Sequence, residues 1–477
     1  MTTPQWLTLA IVLCAIVLFA SEKVRIDIVA LIVVVLLVVL DLVTPAQALA
    51  GFSNEATVTV AAMFALSLGI ERSGALEPLA RLLSRIRKPW LLTLALMLAI
   101  APMGAFVKNI ALVATFLPLA LRVCANTGTS PVRVLLPMAY AAQMGGVCTL
   151  IGTSSNLLTD SLAQQHGLAG FGVFEFTRLG ALLAVVGITY LMLVGRWLLP
   201  APGSRFIGQN LKALDFHWHY NATVLAIHRR GQVLRDKLRD VALSVGDILL
   251  MVTSRDEMQA LRDNANVVVI NEREEGSAIR RRAPLALAIM VSVIVASALG
   301  LMPIVISALI GGVAMVLTRC LSPEDAYSAI DWRVIVLIAG VLPLGIALQN
   351  SGAAAFLADN TLGRVGEFGP FVVLAVLYLL ALVLSEMMSN AAAAVLLVPI
   401  AWSTATGLGY SPTPFLIAVT FAASTSFSTP VGYQTNTMVY NLGNYRFTDF
   451  MKIGIPLNVL FWLIGVTLIP LLWPFTP

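Results

Sequence analysis

"KNIALVATFLP" (Lys108–Pro118) and "SNAAAAVLLVP" (Ser389–Pro399) stand in opposite halves of one chain, each with an asparagine in second place and a proline nine residues after it. They are not the only matched pair. "EFTRLG" (175–180) pairs with "DFMKIG" (449–454), and "RSG" (72–74) echoes "NSG" (350–352). Three matches in the same order at similar offsets point to a duplicated unit that covers most of the chain. Of its 477 residues, 58% are hydrophobic and 12% charged, whereas a soluble domain carries about 25% charged residues. The chain is therefore expected to be an all-α polytopic membrane protein.

Spans of roughly 17–25 apolar residues are expected near 5–20, 26–43, 54–71, 90–123, 131–160, 175–198, 284–300, 302–319, 333–350, 369–403, 412–440 and 453–474. The stretches 90–123 and 369–403 are too long for one crossing and are read as re-entrant hairpins. Those at 131–160 and 412–440 are interrupted by Gly, Ser, Thr and Pro. Each half then holds five spans and one hairpin, and an odd number of spans inverts the second half. The first apolar run, Trp6–Ala20, lacks a basic leader and reads as a span rather than a cleaved signal. With the N-terminus outside, seventeen Lys and Arg fall on inside loops and two, Arg178 and Arg364, outside, which fits the positive-inside rule. The expected domains are a first repeat at 1–199, a central hydrophilic segment at 200–275 on the cytoplasmic side, and a second repeat at 276–477. The expected location is the cell (inner) membrane.

In the central segment, "ATVLAIHRRGQVL" and "VGDILLMVTS" alternate like strands, and "SRDEMQALRDN" reads as a short capped helix. Through its "IG-x-x-L" start, "V-x-AI-x-R-x-G" strand and "GDILL" strand the segment resembles the C-terminal ligand-binding domain of TrkA-type potassium-transport regulators. That resemblance implies a dimerising module that takes a small regulatory ligand. A passive stabilising insertion is the alternative.

Inside a bilayer every backbone group needs an internal partner, so helices break only against protein or a wet cavity. Four such breaks are expected: the hairpin tips "GAFVKNI" (104–110) and "SEMMSNA" (385–391), and the interruptions "TLIGTSSN" (149–156) and "SFSTPVGYQTN" (426–436). Exposed helix N-termini and Asn or Ser side chains bind anions, and freed carbonyls and hydroxyls bind sodium.

On these motifs the chain resembles the divalent-anion/sodium symporter family, whose members carry a Ser-Asn-Thr signature at each hairpin tip and a Gly-Thr-Pro-Pro-Asn-like turn in each broken helix. Here the second half has Ser389-Asn390 followed by Ala391, and Ser385 stands four residues earlier. The resemblance implies a sodium site at Ser385, Ser389, Asn390 and the backbone around Ser428, with Asn390, Thr429 and Pro430 near the substrate. It further implies a homodimer with elevator-type alternating access. The first half departs from the pattern: Lys108-Asn109-Ile110 stands at the tip, Gly104 replaces the serine, and the turn reads Gly152-Thr153-Ser154-Ser155-Asn156. Asn109, Thr153 and Ser154 are the substrate candidates there, and Gly152 and Lys108 the cation site or its surrogate.

An intramembrane charge is expensive and usually functional. Lys108 is read in three ways: as a fixed charge replacing the first sodium, as a direct substrate contact, or as a side chain snorkelling to the headgroups. Glu386 is a proton-coupling candidate, or an acid solvated through the cavity. Asn109 and Asn390 alternatively bridge helices.

The expected function is import of a small divalent anion, sulfate or a dicarboxylate, coupled to sodium or protons. The alternative is a ligand-gated anion channel, for which "PVGYQ" (430–434) offers only part of a carbonyl filter. No nucleotide-binding loop, enzyme motif or nucleic-acid signal is present, and no cofactor is expected beyond sodium as coupling ion. The cysteines Cys14, Cys124, Cys148 and Cys320 lack metal spacing and read as packing residues.

Overall fold

The structure, a computed structural model, describes residues 2–21, 24–83, 86, 88–127, 130–199, 210, 223–229, 232–234, 238–243, 247–252, 282–353, 356, 369–443 and 445–476. The helix expected at 254–264, the "IG-x-x-L" start and Arg364 lie outside the described residues.

The first half contains α1 (Thr3–Ser21), α2 (Ile26–Val39), α3 (Pro45–Leu49), α4 (Glu55–Arg72), α5 (Glu77–Leu83), α6 (Pro89–Gly104), α7 (Asn109–Thr127), α8 (Val132–Gly146), α9 (Ser154–Gln165), α10 (Thr177–Tyr190) and α11 (Arg196–Leu198). The second contains α12 (Ala283–Ala298), α13 (Ile304–Leu317), α14 (Pro323–Ser328), α15 (Trp332–Asn350), α16 (Pro370–Met387), α17 (Asn390–Gly407), α18 (Thr413–Ser424), α19 (Gln434–Gly443) and α20 (Phe447–Leu472). Among the described residues, six helical stretches are long and apolar enough to cross a membrane: Pro45–Arg72, Thr177–Gly195, Trp332–Asn350, Pro370–Met387, Asn390–Gly407 and Phe447–Leu472. Large apolar side chains such as Val35, Val185 and Leu317 face outward, as lipid contact requires. Both overlong stretches are helix–turn–helix hairpins, α6–α7 and α16–α17. Both interrupted stretches are pairs of shorter helices, α8–α9 and α18–α19.

Local backbone features recur in the two halves. Asp41 (φ 54) and Arg319 (φ 55) are the two non-glycine residues with positive φ among those described, one in each half. Gly74 (φ 71) and Gly352 (φ 70) form a second such pair at the same spacing. The helix caps repeat as well. Thr44 and Ser322 accept the backbone N–H of Gln47 and Asp325 ahead of a proline-led short helix, and Asn54 and Asp331 cap α4 and α15. Each cap satisfies an amide that the first helical turn leaves without a carbonyl.

The left-handed backbone costs an L-residue about 1–2 kcal/mol, partly offset because a glycine has more freedom to lose on folding. Arg319→Gly is therefore expected to raise stability by about 0.5–1 kcal/mol, read as a higher melting temperature in detergent. An unchanged or lower value would mean that the arginine side chain contributes more than the strain removes.

Glycines set how closely the helices approach. A Cβ on Gly145 of α8 would lie 1.8 Å from the Ala101 carbonyl oxygen of α6, and one on Gly454 of α20 would lie 2.1 Å from that of Phe427. Gly180 on α10 makes the matching approach to Cys148. The "EFTRLG" and "DFMKIG" motifs thus mark where a long helix abuts a break. In the central segment β1 (Thr223–Arg229) pairs antiparallel with β2 (Gln232–Leu234) and β3 (Ile248–Val252), in the order β2-β1-β3. Both expected strand patterns are strands, and Ile227 and Leu243 are buried there. None of the four cysteines forms a disulfide.

Candidate functional site

The hairpin tips are short. Residues 105–108 join α6 to α7, while Met388 and Ser389 join α16 to α17. Ser389 is the N-cap of α17, its Oγ accepting the Ala392 N–H at 3.4 Å. Lys108 holds the matching place before α7 and cannot cap, because an ammonium has no lone pair to offer. A positive charge there also opposes the helix dipole. Its Nζ lies 3.9 Å from the Asp331 carboxylate and 4.1 Å above the centroid of the Phe64 ring. Its backbone N–H donates to Ser67 Oγ at 3.3 Å. The Lys108 charge is therefore held against α4 and the N-cap of α15.

Behind each tip a threonine hydroxyl does the same work. Thr149 Oγ1 donates to the Ala105 carbonyl, and at the corresponding place in the second half Thr429 Oγ1 donates to the Glu386 carbonyl at 3.0 Å. The preceding position differs. Ser385 is fully buried and its Oγ donates to the carbonyls of Leu382 at 3.0 Å and Ala422 at 3.3 Å. At Gly104 a Cβ would sit 2.6 Å from the Ala142 carbonyl and 3.0 Å from Asn109 Oδ1. No serine fits there, so the departure of the first half at Gly104 has a steric cause.

The broken helices are stapled by asparagines. Asn156 Nδ2 donates to the Thr149 carbonyl at 2.7 Å, and Asn436 Nδ2 donates to the carbonyls of Ser426 at 3.0 Å and Thr429 at 3.2 Å. These bonds satisfy backbone groups that the break frees. Thr153 caps α9, Ser154 opens it, and Gly152 lies where a Cβ would come 2.3 Å from the Gly146 carbonyl. The Pro430 carbonyl accepts Thr437 Oγ1 at 2.7 Å.

Contacts between the halves bring these pieces together. Asn109 Nδ2 donates to the Tyr433 hydroxyl, which belongs to the second break. Thr153 Oγ1 is 3.5 Å from Ser424 Oγ, which also lies 3.4 Å from Asn156 Oδ1. Gln143 Nε2 donates to the carbonyls of Ser424 at 3.3 Å and Ser426 at 2.9 Å. Ser426 Oγ in turn donates to Asn390 Oδ1 at 2.9 Å. Asn109, Thr153, Asn390 and Thr429 thus belong to one polar region deep in an apolar bundle, with Ser389 at the tip beside it. Asn109 Oδ1 and Gln143 Oε1 are buried there without a hydrogen-bond partner.

Glu386 sits on the far side of the second break. Its Oε1 accepts the Ser428 N–H at 2.8 Å and Asn458 Nδ2 at 2.7 Å. Gln143, Tyr433, Asn458, Ser424 and Ser426 were not singled out as functional from the sequence. Gln143 and Asn458 carried a usable signal, each being an amide inside an otherwise apolar helix, where a polar group must find a partner. Among the described residues no cluster of His, Cys, Asp and Glu could hold a metal ion.

A sequence profile described as citrate transporter (CitMHS) matches residues 16–413. An uncharacterized transporter of Synechocystis sp. is 33% identical over 596 aligned positions, covering 99% of this chain and 97% of that protein. Sodium/sulfate cotransporter 2 of Chlamydomonas reinhardtii is 29% identical over 54% of this chain and 30% of its own length. Among solved structures, the Alcanivorax borkumensis YdaH transporter superposes with a TM-score of 0.56 at 15% identity, covering all of both chains, a likeness of fold alone. The family and these relatives are transporters, not enzymes. With its apolar helices and its profile match, this chain belongs to the citrate transporter family.

Proposed function

We propose that the protein is a secondary active importer of a small divalent anion, a sulfate-like oxyanion or a dicarboxylate, with sodium or protons as coupling ion. The observation that carries this reading is the meeting of Asn109, Tyr433, Thr153, Ser424, Ser426 and Asn390 across the two halves. Helices α7, α9 and α17 begin at three of these contacts, and their free amides and positive dipole ends favour an anion. The name of the Chlamydomonas relative agrees with such cargo.

In this reading the halves stand in opposite orientations, and the hairpin-bearing bundle moves against the remaining helices within a homodimer. Asn109, Thr153, Ser154, Asn390, Thr429 and Pro430 line the anion's place. A sodium ion uses Ser385, Ser389, Asn390 and the backbone at Ser428, with Gly152 at the matching place in the first half. Lys108 supplies the fixed charge in the first half, since it replaces Ser389's counterpart and has a carboxylate and an aromatic face to hold it. The central segment lies in the cytoplasm as a TrkA C-terminal-like module that senses a small ligand.

The test is uptake of labelled sulfate, succinate and citrate into proteoliposomes under imposed sodium or proton gradients, for wild type and Lys108→Ser. Uphill accumulation of one of these anions is expected, with a steeper sodium dependence in Lys108→Ser, because the variant opens a second ion site. Flux that only dissipates an anion gradient would replace the importer with a channel. Unchanged sodium dependence in an active Lys108→Ser protein would remove the surrogate role from the lysine.

A further inference from the structure

We propose that Glu175 and Arg178 form a binding site for the headgroup of a zwitterionic phospholipid, the guanidinium taking its phosphate and the carboxylate its ammonium. The site does not depend on which anion is transported.

The first observation is a pair of opposite charges that share a space without neutralising each other. Phe174, Glu175, Arg178, Leu472 and Trp473 line a cavity of about 240 Å³ between the start of α10 and the end of α20. Among the described residues Arg178 forms no ion pair, with Glu175 or with any other acid, and its guanidinium has no acceptor. The carboxylate, by contrast, is held in place. Its Oε1 accepts the Trp473 Nε1–H at 2.9 Å and its Oε2 the Gly172 N–H at 3.3 Å. A carboxylate offers about four lone-pair sites, so each oxygen keeps room for a further donor.

The bond to Gly172 is the part that the duplicated motif shares. In the second half Asp449 Oδ2 accepts the N–H of Arg446, also three residues earlier, at 2.8 Å. That shared role explains an acid at Glu175 and leaves Arg178 unexplained. A fork of N–H donors suits a phosphate, and a fixed carboxylate suits an ammonium. A simple anion would meet the carboxylate, and a simple cation the guanidinium; a ligand carrying both charges meets neither penalty.

The second observation is place. Thr177–Gly195 and Phe447–Leu472 are two of the stretches able to cross a membrane, and the cavity lies where one begins and the other ends. That is the level of the headgroups, where tryptophan and other aromatic side chains gather. Phe475, two residues beyond Trp473, packs against Phe371 at 5.4 Å and Tyr410 at 6.1 Å.

The third is what adjoins the cavity. Leu182 and Val185 follow Arg178 by four and seven residues, on one face of α10, and both are exposed. Phe174 and Leu471 are exposed beside them. A headgroup on Arg178 would lay its acyl chains along apolar side chains that already face outward. The cavity is also smaller than the roughly 300–1,000 Å³ that encloses a drug-sized ligand, so it takes a headgroup and leaves the chains in the bilayer.

Native mass spectrometry of the purified full-length protein, stripped of lipid and titrated with phosphatidylethanolamine or phosphatidylglycerol of identical acyl chains, counts the lipids held per chain. Wild type is expected to hold one phosphatidylethanolamine about tenfold more tightly than phosphatidylglycerol, the size of one hydrogen bond to a charged group. Arg178→Gln is expected to weaken phosphatidylethanolamine by about tenfold, and Glu175→Gln to erase the preference between the two lipids. Both variants are expected to fold, since a glutamine at 175 still accepts the Trp473 N–H and Arg178 is exposed; melting curves check this. A wild type with no preference, or one that prefers phosphatidylglycerol, would overturn the proposal without any variant. Unchanged affinity in a folded Arg178→Gln protein would do the same. Displacement by glycerophosphoethanolamine, which has the same headgroup and no acyl chains, at concentrations equal to the lipid's would overturn the lipid assignment in favour of a soluble zwitterion.

Discussion

Gly145→Val is expected to leave no folded protein to purify, whereas Gly312→Ala is expected to leave the yield unchanged. A Cβ at Gly145 would come 1.8 Å from the Ala101 carbonyl oxygen, 2.7 Å from its carbonyl carbon and 3.0 Å from its Cα, all main-chain atoms. No side chain can rotate away, so α6 and α8 would have to separate. Overpacking that side chains can absorb costs about 1–3 kcal/mol, and forcing two backbones apart costs more. Net stability is only about 5–15 kcal/mol in total. Nothing lies within 4 Å of a Cβ at Gly312, which makes it the control. Size-exclusion chromatography of the detergent extracts checks both, and a monodisperse Gly145→Val protein would mean that α6 and α8 pack less tightly than described.

Asn109→Ala is expected to bring anion uptake down to background, with Tyr433→Phe producing a smaller loss. The asparagine opens α7, is 4% exposed, and is the group through which the first hairpin touches the second break. Alanine removes an amide from the proposed anion site and leaves the Tyr433 hydroxyl without its donor, a penalty of about 1–3 kcal/mol. Phenylalanine removes one hydrogen bond worth about 1 kcal/mol, roughly a fivefold effect on rate. Because the two side chains act as one contact, the double variant is expected to transport no worse than Asn109→Ala. Wild-type uptake by Asn109→Ala would take the first hairpin tip out of the site.

Much of this was legible in the sequence because the membrane imposes simple rules. An apolar stretch too long for one crossing must turn, so the asparagine-led, proline-bearing runs after 108 and 389 marked hairpins. Apolar runs interrupted by Gly, Ser and Thr marked breaks. The partners were not legible. Lys108 stands without an acidic neighbour in its own segment; Asp331, 3.9 Å from its Nζ, lies in the other half of the chain and reads locally as an ordinary helix cap. Gly104 looked like a serine lost, and only the approach of the Ala142 carbonyl shows that a side chain has no room there. Asn458 stood in a long apolar helix with no motif around it, and Tyr433 was weighed only as part of two strings, the break at 426–436 and the filter-like "PVGYQ". Spacing within a segment reveals where a chain bends, but which bend meets which is decided by packing between segments.

The tip of the first hairpin and the break beside it are met by the second half: Asn109 by Tyr433, Lys108 by Asp331, Thr153 by Ser424. A half-length chain made on its own would present these groups to nothing. Because the two halves differ in sequence, a lysine stands at one tip and a glutamate near the other, which no pair of identical subunits could sustain.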